Sequence, residues 1–181
     1  MKKIIVTICI VFCAVGAYLA VIMFGGNIYN NSGQEKMYQT VATGSSADDI
    51  VSELVFGWKV KHPLGLRIVA KLLDLEHHVY PGLYELHDGM SAFEAIRLFR
   101  SGKRQTVKLT IRFARHYEEI LHLADEKLEA SYDDLLALTN NRQFMDSLGF
   151  SNENTICLFL PDTYDFYWNT SARQFMERMS K

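Results

Sequence analysis

Leu158-Phe159-Leu160-Pro161-Asp162-Thr163-Tyr164-Asp165-Phe166-Tyr167-Trp168-Asn169-Thr170-Ser171 is the stretch from which the rest of the chain is read. Ile156 to Leu160 forms a short apolar run with the look of a strand. Pro161 has no amide to give to a ladder, so that strand ends there or lies at a sheet edge. Asp162 and Thr163 suit a turn, because both side chains accept from nearby backbone amides. From Tyr164 the period is two, with Tyr164, Phe166 and Trp168 on one face and Asp165 and Tyr167 on the other. Aromatic residues on both faces need cover. Two accounts stay open: a packed hairpin with its tyrosine hydroxyls satisfied, or a cleft wall on which a ligand stacks.

Upstream, Thr106 to Arg112 alternates strictly, with Val107, Leu109 and Ile111 on one face and charged or hydroxyl groups on the other, which makes it the clearest strand in the chain. A helix is expected from about His116 to Glu129, burying Tyr117, Ile120, Leu121, Ala124 and Leu128, with shorter helices over Tyr132 to Leu138 and Arg142 to Leu148. Nearer the N-terminus, Met37 to Ala42 alternates as a short strand. Ser46 with Asp49 forms a capping-box pattern that opens a helix on Ala47, Ile50, Val51 and Leu54. Pro63 suits a first helical position, and the helix to about Leu73 aligns Leu64, Ile68 and Leu72 as its apolar face. The pattern then repeats: Tyr84 to Leu86 as strand, Asp88-Gly89 as turn, and Ser91 with Glu94 capping a helix on Ala92, Ala95, Ile96 and Phe99 that ends before Gly102.

The far N-terminus belongs to another solvent. Ile4 to Phe24 is a charge-free run of 21 residues, which as a helix spans about 31 Å, the thickness of a bilayer core. Lys2 and Lys3 precede it and no basic residue follows before Lys36, so the N-terminus is expected inside and the remainder outside. A cleaved signal peptide is the competing account. Its apolar region would be shorter, and here the apolar run continues past the weak site at Ala17-Tyr18-Leu19-Ala20. Gly25 to Gln34, rich in Gly, Asn and Ser, reads as a linker.

Setting Lys2 and Lys3 aside leaves 17 basic against 21 acidic side chains, a balance of −4, with no basic stripe for phosphates, so nucleic acid is not an expected partner. Hydrophobic residues make up 49% of the 181, enough for packed cores in one or two small domains. Cys9 and Cys13 lie in the apolar run. Cys157 is then the lone cysteine outside, where it cannot form an intrachain disulfide and reads as a small buried hydrophobe.

The segment 158–164 resembles the Leu-Phe-Pro-(Asp/Asn)-Thr-Tyr signature of the YceG-like endolytic murein transglycosylases, often called MltG, with Leu160 where that family usually has an aromatic. The following Tyr-Trp-Asn-Thr-Ser extends the resemblance. Thr106 to Ile111 is similar to the family's Pro-Val-Lys-Leu-Thr-Phe strand, and Tyr80-Pro81-Gly82-Leu83-Tyr84, the Gly-Met-Ser at 89–91 and the Arg-Ser-Gly at 100–102 are similar to its membrane-proximal module. The resemblance implies an α+β protein: cytoplasmic tip 1–3, transmembrane helix 4–24, linker 25–36, LysM-like α+β module 37–104, and the N-terminal part of a YceG-like catalytic domain over 105–181. It implies a single-pass protein of the bacterial inner membrane with its bulk in the periplasm or cell-envelope space. Its expected partners are peptidoglycan glycan strands, the membrane and peptidoglycan synthases.

The implied chemistry is lytic cleavage between N-acetylmuramic acid and N-acetylglucosamine, leaving 1,6-anhydro ends, with no cofactor and no metal. One glutamate protonates the linking oxygen and later accepts a proton from the muramyl C6 hydroxyl, so it needs a pocket that raises its pKa. The family carries that glutamate on an Ala-Ser-Ile-(Ile/Val)-Glu-x-Glu-Thr-like segment, expected beyond Lys181. The stretch 1–181 is therefore expected to be inactive alone, and a non-catalytic membrane-anchored peptidoglycan-binding or scaffolding protein is the alternative. Whether the LysM-like module binds glycan or only spaces the catalytic part from the membrane stays open. Asp162, Tyr164, Asp165 and Trp168 are the candidate substrate-binding residues, with capping and surface roles as the alternative for the two aspartates.

Other constellations read as structural. Glu119-x-x-His122 with Glu126 has no second copy to complete a carboxylate metal motif, and adjacent His77 and His78 seldom point at one metal. Glu177, beside Arg178 on a short amphipathic helix, reads as solvated. No phosphate loop, nucleophile elbow or paired-cysteine zinc motif is present.

Overall fold

A computed structural model of the chain describes residues 2–30, 36–151 and 154–181. It divides into two compact units, residues 1–103 and residues 104–181.

The first unit opens with helix α1, Lys2–Phe24. Its stretch Ile4–Phe24 is long and apolar enough to cross a membrane, and residues 4–21 are all exposed. Strand β1 (Gly26–Tyr29) follows at once, inside the expected linker. It lies at the centre of a three-stranded sheet between β3 (Lys59–Val60) and β5 (Met90–Ser91). Gly and Asn pointed to a linker, but Asn27 earns a buried place through hydrogen bonds. Its Oδ1 accepts from the His62 amide at 2.6 Å and its Nδ2 donates to the His62 carbonyl at 3.2 Å, while Ile28 fills the core. A buried amide satisfied on both ends is tolerated where an unpaired one is not. Residues 31–35 of that expected linker lie outside the described residues.

Strand β2 (Lys36–Val41) pairs antiparallel with β4 (Gly82–His87) along all its residues, from Lys36 opposite His87 to Val41 opposite Gly82. Helices α2 (Ala47–Gly57) and α3 (Pro63–Leu72) connect the two strands. The two similar halves of the sequence thus share a sheet, and their tyrosines part company: Tyr38 is exposed, whereas Tyr84 is buried and donates to the Tyr80 carbonyl at 2.6 Å. Ser46 caps α2 and Ser91 caps α4 (Ala92–Ser101), each through a complete capping box, and Gly102 ends α4 in the left-handed conformation, φ 65°. The serine amide holds the Asp49 carboxylate below its usual range in one box and Glu94 in the other. Phe99 packs edge-on against Tyr84 with ring centroids 5.0 Å apart.

Helix α3 differs from expectation. Gly65, Leu66, Val69 and Ala70 form its buried face, while Leu64, Ile68 and Leu72 point outward. Both stripes are apolar, so the period alone did not distinguish them. Just beyond α3, His77 and His78 fold back on Asp74, the former at 2.6 Å. That contact raises the His77 pKa and lowers that of Asp74.

The second unit pairs β6 (Thr106–Ile111) antiparallel with β7 (Asp162–Tyr167), Ile111 opposite Asp162 and Thr106 opposite Tyr167. Between them run α5 (Tyr117–Lys127), α6 (Tyr132–Asn140) and α7 (Arg142–Ser147), and α8 (Ala172–Met179) follows β7. The inner faces of β6, α5 and α8 supply Leu109, Ile111, Leu121, Phe175 and Met176 to one core.

Two expectations about the opening stretch are corrected. Thr155–Leu158 is a 3₁₀ helix rather than a strand, because Ser151, Asn154 and Thr155 bond one another locally: Asn154 Oδ1 accepts from the Ser151 amide at 2.6 Å, and Thr155 Oγ1 donates to the Ser151 carbonyl at 3.0 Å. Such local bonds compete with a ladder. The tighter winding turns Leu158 and Phe159 inward and leaves Cys157 exposed rather than buried. Asp162 and Thr163, expected as a turn, are the first two residues of β7.

Candidate functional site

Residues directly opposite in an antiparallel pair project to one side of the sheet. Val107, Leu109 and Ile111 therefore share a face with Phe166, Tyr164 and Asp162, and Lys108 and Thr110 share the other with Asp165 and Thr163. The inner face is closed by packing, with Phe166 5.3 Å from Phe175 between ring centroids and Tyr164 donating to the Leu160 carbonyl at 3.1 Å. The outer face is polar: Thr110 and Thr163 bond each other through their hydroxyls at 3.0 Å.

The four residues singled out from sequence are thus divided. Asp162 is exposed at the end of the ribbon, where its carboxylate accepts from the Thr163 amide at 2.6 Å. Tyr164 is half-buried on the inner face, and Asp165 is exposed on the outer one. Trp168, half-buried, lies just past the strand and its carbonyl accepts from the Glu129 amide at 2.7 Å. They share one short segment but not one surface.

A groove of about 470 Å³ runs instead between β6 and α5. Lys108, Thr110, Arg112 and Phe113 line one side and Glu119, Leu123 and Lys127 the other. Three cations and one carboxylate, with apolar floor between them, suit a polar ligand that carries acidic groups and offers a flat hydrocarbon face. The alternation of Lys108, Thr110 and Arg112 was legible in the sequence. What it could not show is that α5 stands beside that strand and turns Glu119 and Lys127 toward it. Arg104 is a further residue that pattern reading missed. Its guanidinium lies 4.5 Å from the Tyr167 ring centroid and donates to Asn169 Oδ1 at 3.3 Å, covering the outer end of the ribbon.

The remaining constellations have structural explanations. Glu119 accepts from the His116 amide at 3.3 Å at the start of α5, and His122 stacks on Tyr132 with centroids 4.0 Å apart. Glu177 lies 3.6 Å from Arg173 on α8. Among the described residues the buried polar side chains are Asn27, Ser91, Thr139, Thr155 and Thr170, and no carboxylate is buried.

Two mixed α and β units that follow an N-terminal helix long and apolar enough to cross a membrane define an α+β protein. The YceG-like family model matches residues 39–181, and the chain belongs to the YceG-like family. A crystal structure of a YceG-like protein from Listeria monocytogenes is similar at 21% identity, with 81% of this chain and 53% of that one covered and a TM-score of 0.39. The chain thus spans about half the length of that relative. No curated protein matches it.

Proposed function

We propose that this chain is the membrane-anchored, substrate-holding part of an endolytic murein transglycosylase. In this reading α1 crosses the inner membrane with its N-terminus in the cytoplasm, the LysM-like first unit stands at the outer surface, and the second unit supplies one wall of the glycan cleft. The observation that carries it is membership of the YceG-like family over residues 39–181. The groove beside β6 fits the ligand class, because glycan strands present sugar faces to Phe113 and Leu123 and carry lactyl and peptide carboxylates for Lys108, Arg112 and Lys127.

Bond cleavage needs an acid that is protonated near neutral pH, which requires burial. No described carboxylate is buried, and Asp49, Asp74 and Glu94 are held below their usual range by hydrogen bonds, the opposite of what such an acid needs. In this reading the described residues hold glycan rather than cut it, and synthases working on nascent strands are their proposed neighbours.

Incubating the purified chain with peptidoglycan sacculi tests both halves of this reading. Saturable binding without soluble 1,6-anhydro products is expected. Release of anhydro products places the acid within these residues, and absence of binding removes the glycan-holding role. Lys108→Glu together with Arg112→Glu is expected to weaken binding about tenfold if the groove is the contact.

A further inference from the structure

Helix α3 exposes a stripe that a soluble unit would cover. Leu64 is 72% exposed, Ile68 43% and Leu72 66%, although the same helix buries Leu66 and Val69 completely. At 3.6 residues per turn these three side chains span an arc of about 80°. Lys71 and Arg67 border the arc on one side, and α3 has no acidic residue. Gly65 borders it on the other side, adjacent to Leu72 around the helix. Gly65 is pressed against α1 so closely that a Cβ there would meet the Ile22 side chain and carbonyl.

That contact sets the height of the stripe. Ile22 lies two residues before the end of the apolar span at Phe24, an axial distance of about 3 Å. The first turn of α3 therefore stands where the hydrocarbon ends. The junction is packed: Met23 joins the first unit's core, and the Phe24 and Phe93 rings lie 5.0 Å apart between centroids. Residues 4–21 of α1 stay exposed, so the folded unit meets the anchor only at its outer end.

We propose that α3 lies in the bilayer–water boundary, with Leu64, Ile68 and Leu72 in the lipid and Arg67 and Lys71 among anionic headgroups. The inference rests on the reading of α1 as a membrane anchor. A helix with one apolar face and flanking cations is the form that partitions at such a boundary, and long basic side chains keep their charge in the headgroup layer while their stems lie on hydrocarbon. The stripe starts on the turn of α3 that rests on Ile22, at the outer end of the anchor's apolar run, and this nearness to the hydrocarbon identifies lipid as its occupant. The first unit is then held at two places, and its orientation above the membrane is set by α3 rather than left to swing about α1.

The test uses the full chain with Cys9, Cys13 and Cys157 replaced by serine and single cysteines introduced for an environment-sensitive fluorophore. It is reconstituted in vesicles of phosphatidylcholine and phosphatidylglycerol that carry nitroxide lipids. Probes at Leu64→Cys, Ile68→Cys and Leu72→Cys are expected to be quenched about threefold more than a probe at Arg67→Cys, which is exposed and lies farther around the helix from the stripe than Lys71 does, a helical periodicity that only a helix lying in the boundary produces. A probe at Val15→Cys reports the anchor independently. Quenching at Val15 with none along α3 overturns the proposal and leaves the anchor standing, whereas no quenching at Val15 overturns both. Quenching between labelled copies without lipid quenching assigns the stripe to self-association and also overturns the proposal.

Discussion

Helices α3 and α4 have the same length, ten residues each, and belong to the same unit, yet they use their apolar residues in opposite ways. In α4 the charges at Glu94, Arg97 and Arg100 recur every three residues and mark one outer face, so Ala92, Ala95, Ile96 and Phe99 can only point inward. Helix α3 has just Arg67 and Lys71 to mark an outside, and two apolar stripes compete for the core. Capping differs likewise. Ser91 and Glu94 close a box on α4, whereas His62 gives α3 no side-chain cap and Pro63 fills the first turn. A helix whose polar residues leave no ambiguity is placed by its own sequence. One that is apolar nearly all round is placed by its neighbours.

Substitutions along the two helices separate these cases. Phe99→Ala is expected to have the largest effect, costing about 3–5 kcal/mol in denaturant unfolding, since it empties a fully buried site against Tyr84. An effect below about 1 kcal/mol would show that α4 is not the rigid member of the pair. Gly65→Val is expected to cost about 1–3 kcal/mol in the detergent-solubilised chain, because the added side chain has to push α3 from Ile22. Equal stability would mean that the helix does not rest on α1. Ser91→Ala is expected to cost about 1 kcal/mol by removing the α4 cap, while His62→Ala at the uncapped start of α3 leaves unfolding unchanged within about 0.5 kcal/mol.

Acid sharpens the same contrast. The Ser91 amide lowers the Glu94 pKa in the folded chain from its usual 4.5, so the capping box stabilises the fold fully above that value and loses its contribution as pH falls through the lower, folded one. Unfolding followed from neutral pH downward is expected to show this loss below about pH 4.5, and Glu94→Gln is expected to reduce the dependence. An unchanged profile would remove the box from the account of α4. Smallest of all, Leu72→Ser is expected to alter unfolding in detergent by no more than about 0.5 kcal/mol, since that side chain touches little of the protein. A larger loss would mean that the outer stripe of α3 is packed after all.

Much of the fold was legible because its signals are local. Two Ser-x-x-acid boxes named the starts of α2 and α4, and strict alternation named β6. The stretch 158–171 named the family, yet its own conformation was half misread: a run of apolar residues looks the same whether it pairs as a strand or winds as a 3₁₀ turn, and only the bonds among Ser151, Asn154 and Thr155 separate the two. The candidate site was less legible. Lys108 and Thr110 could be placed on an outer face, but the groove exists because α5, several residues later in the chain, carries Glu119 and Lys127 to the same side.

By itself, then, the sequence determined the membrane-spanning length of α1, the capped helices, the alternating strand and the family. These depend on spacing within a turn or two of one element, where sterics and hydrogen bonds act at short range. The tertiary structure decided that β1 is a central strand rather than a linker, that Asp165 and Tyr164 face opposite sides, and which stripe of α3 is buried. Those outcomes depend on partners distant in sequence, and the hydrophobic effect, being non-directional, names a residue as apolar without saying which surface will cover it.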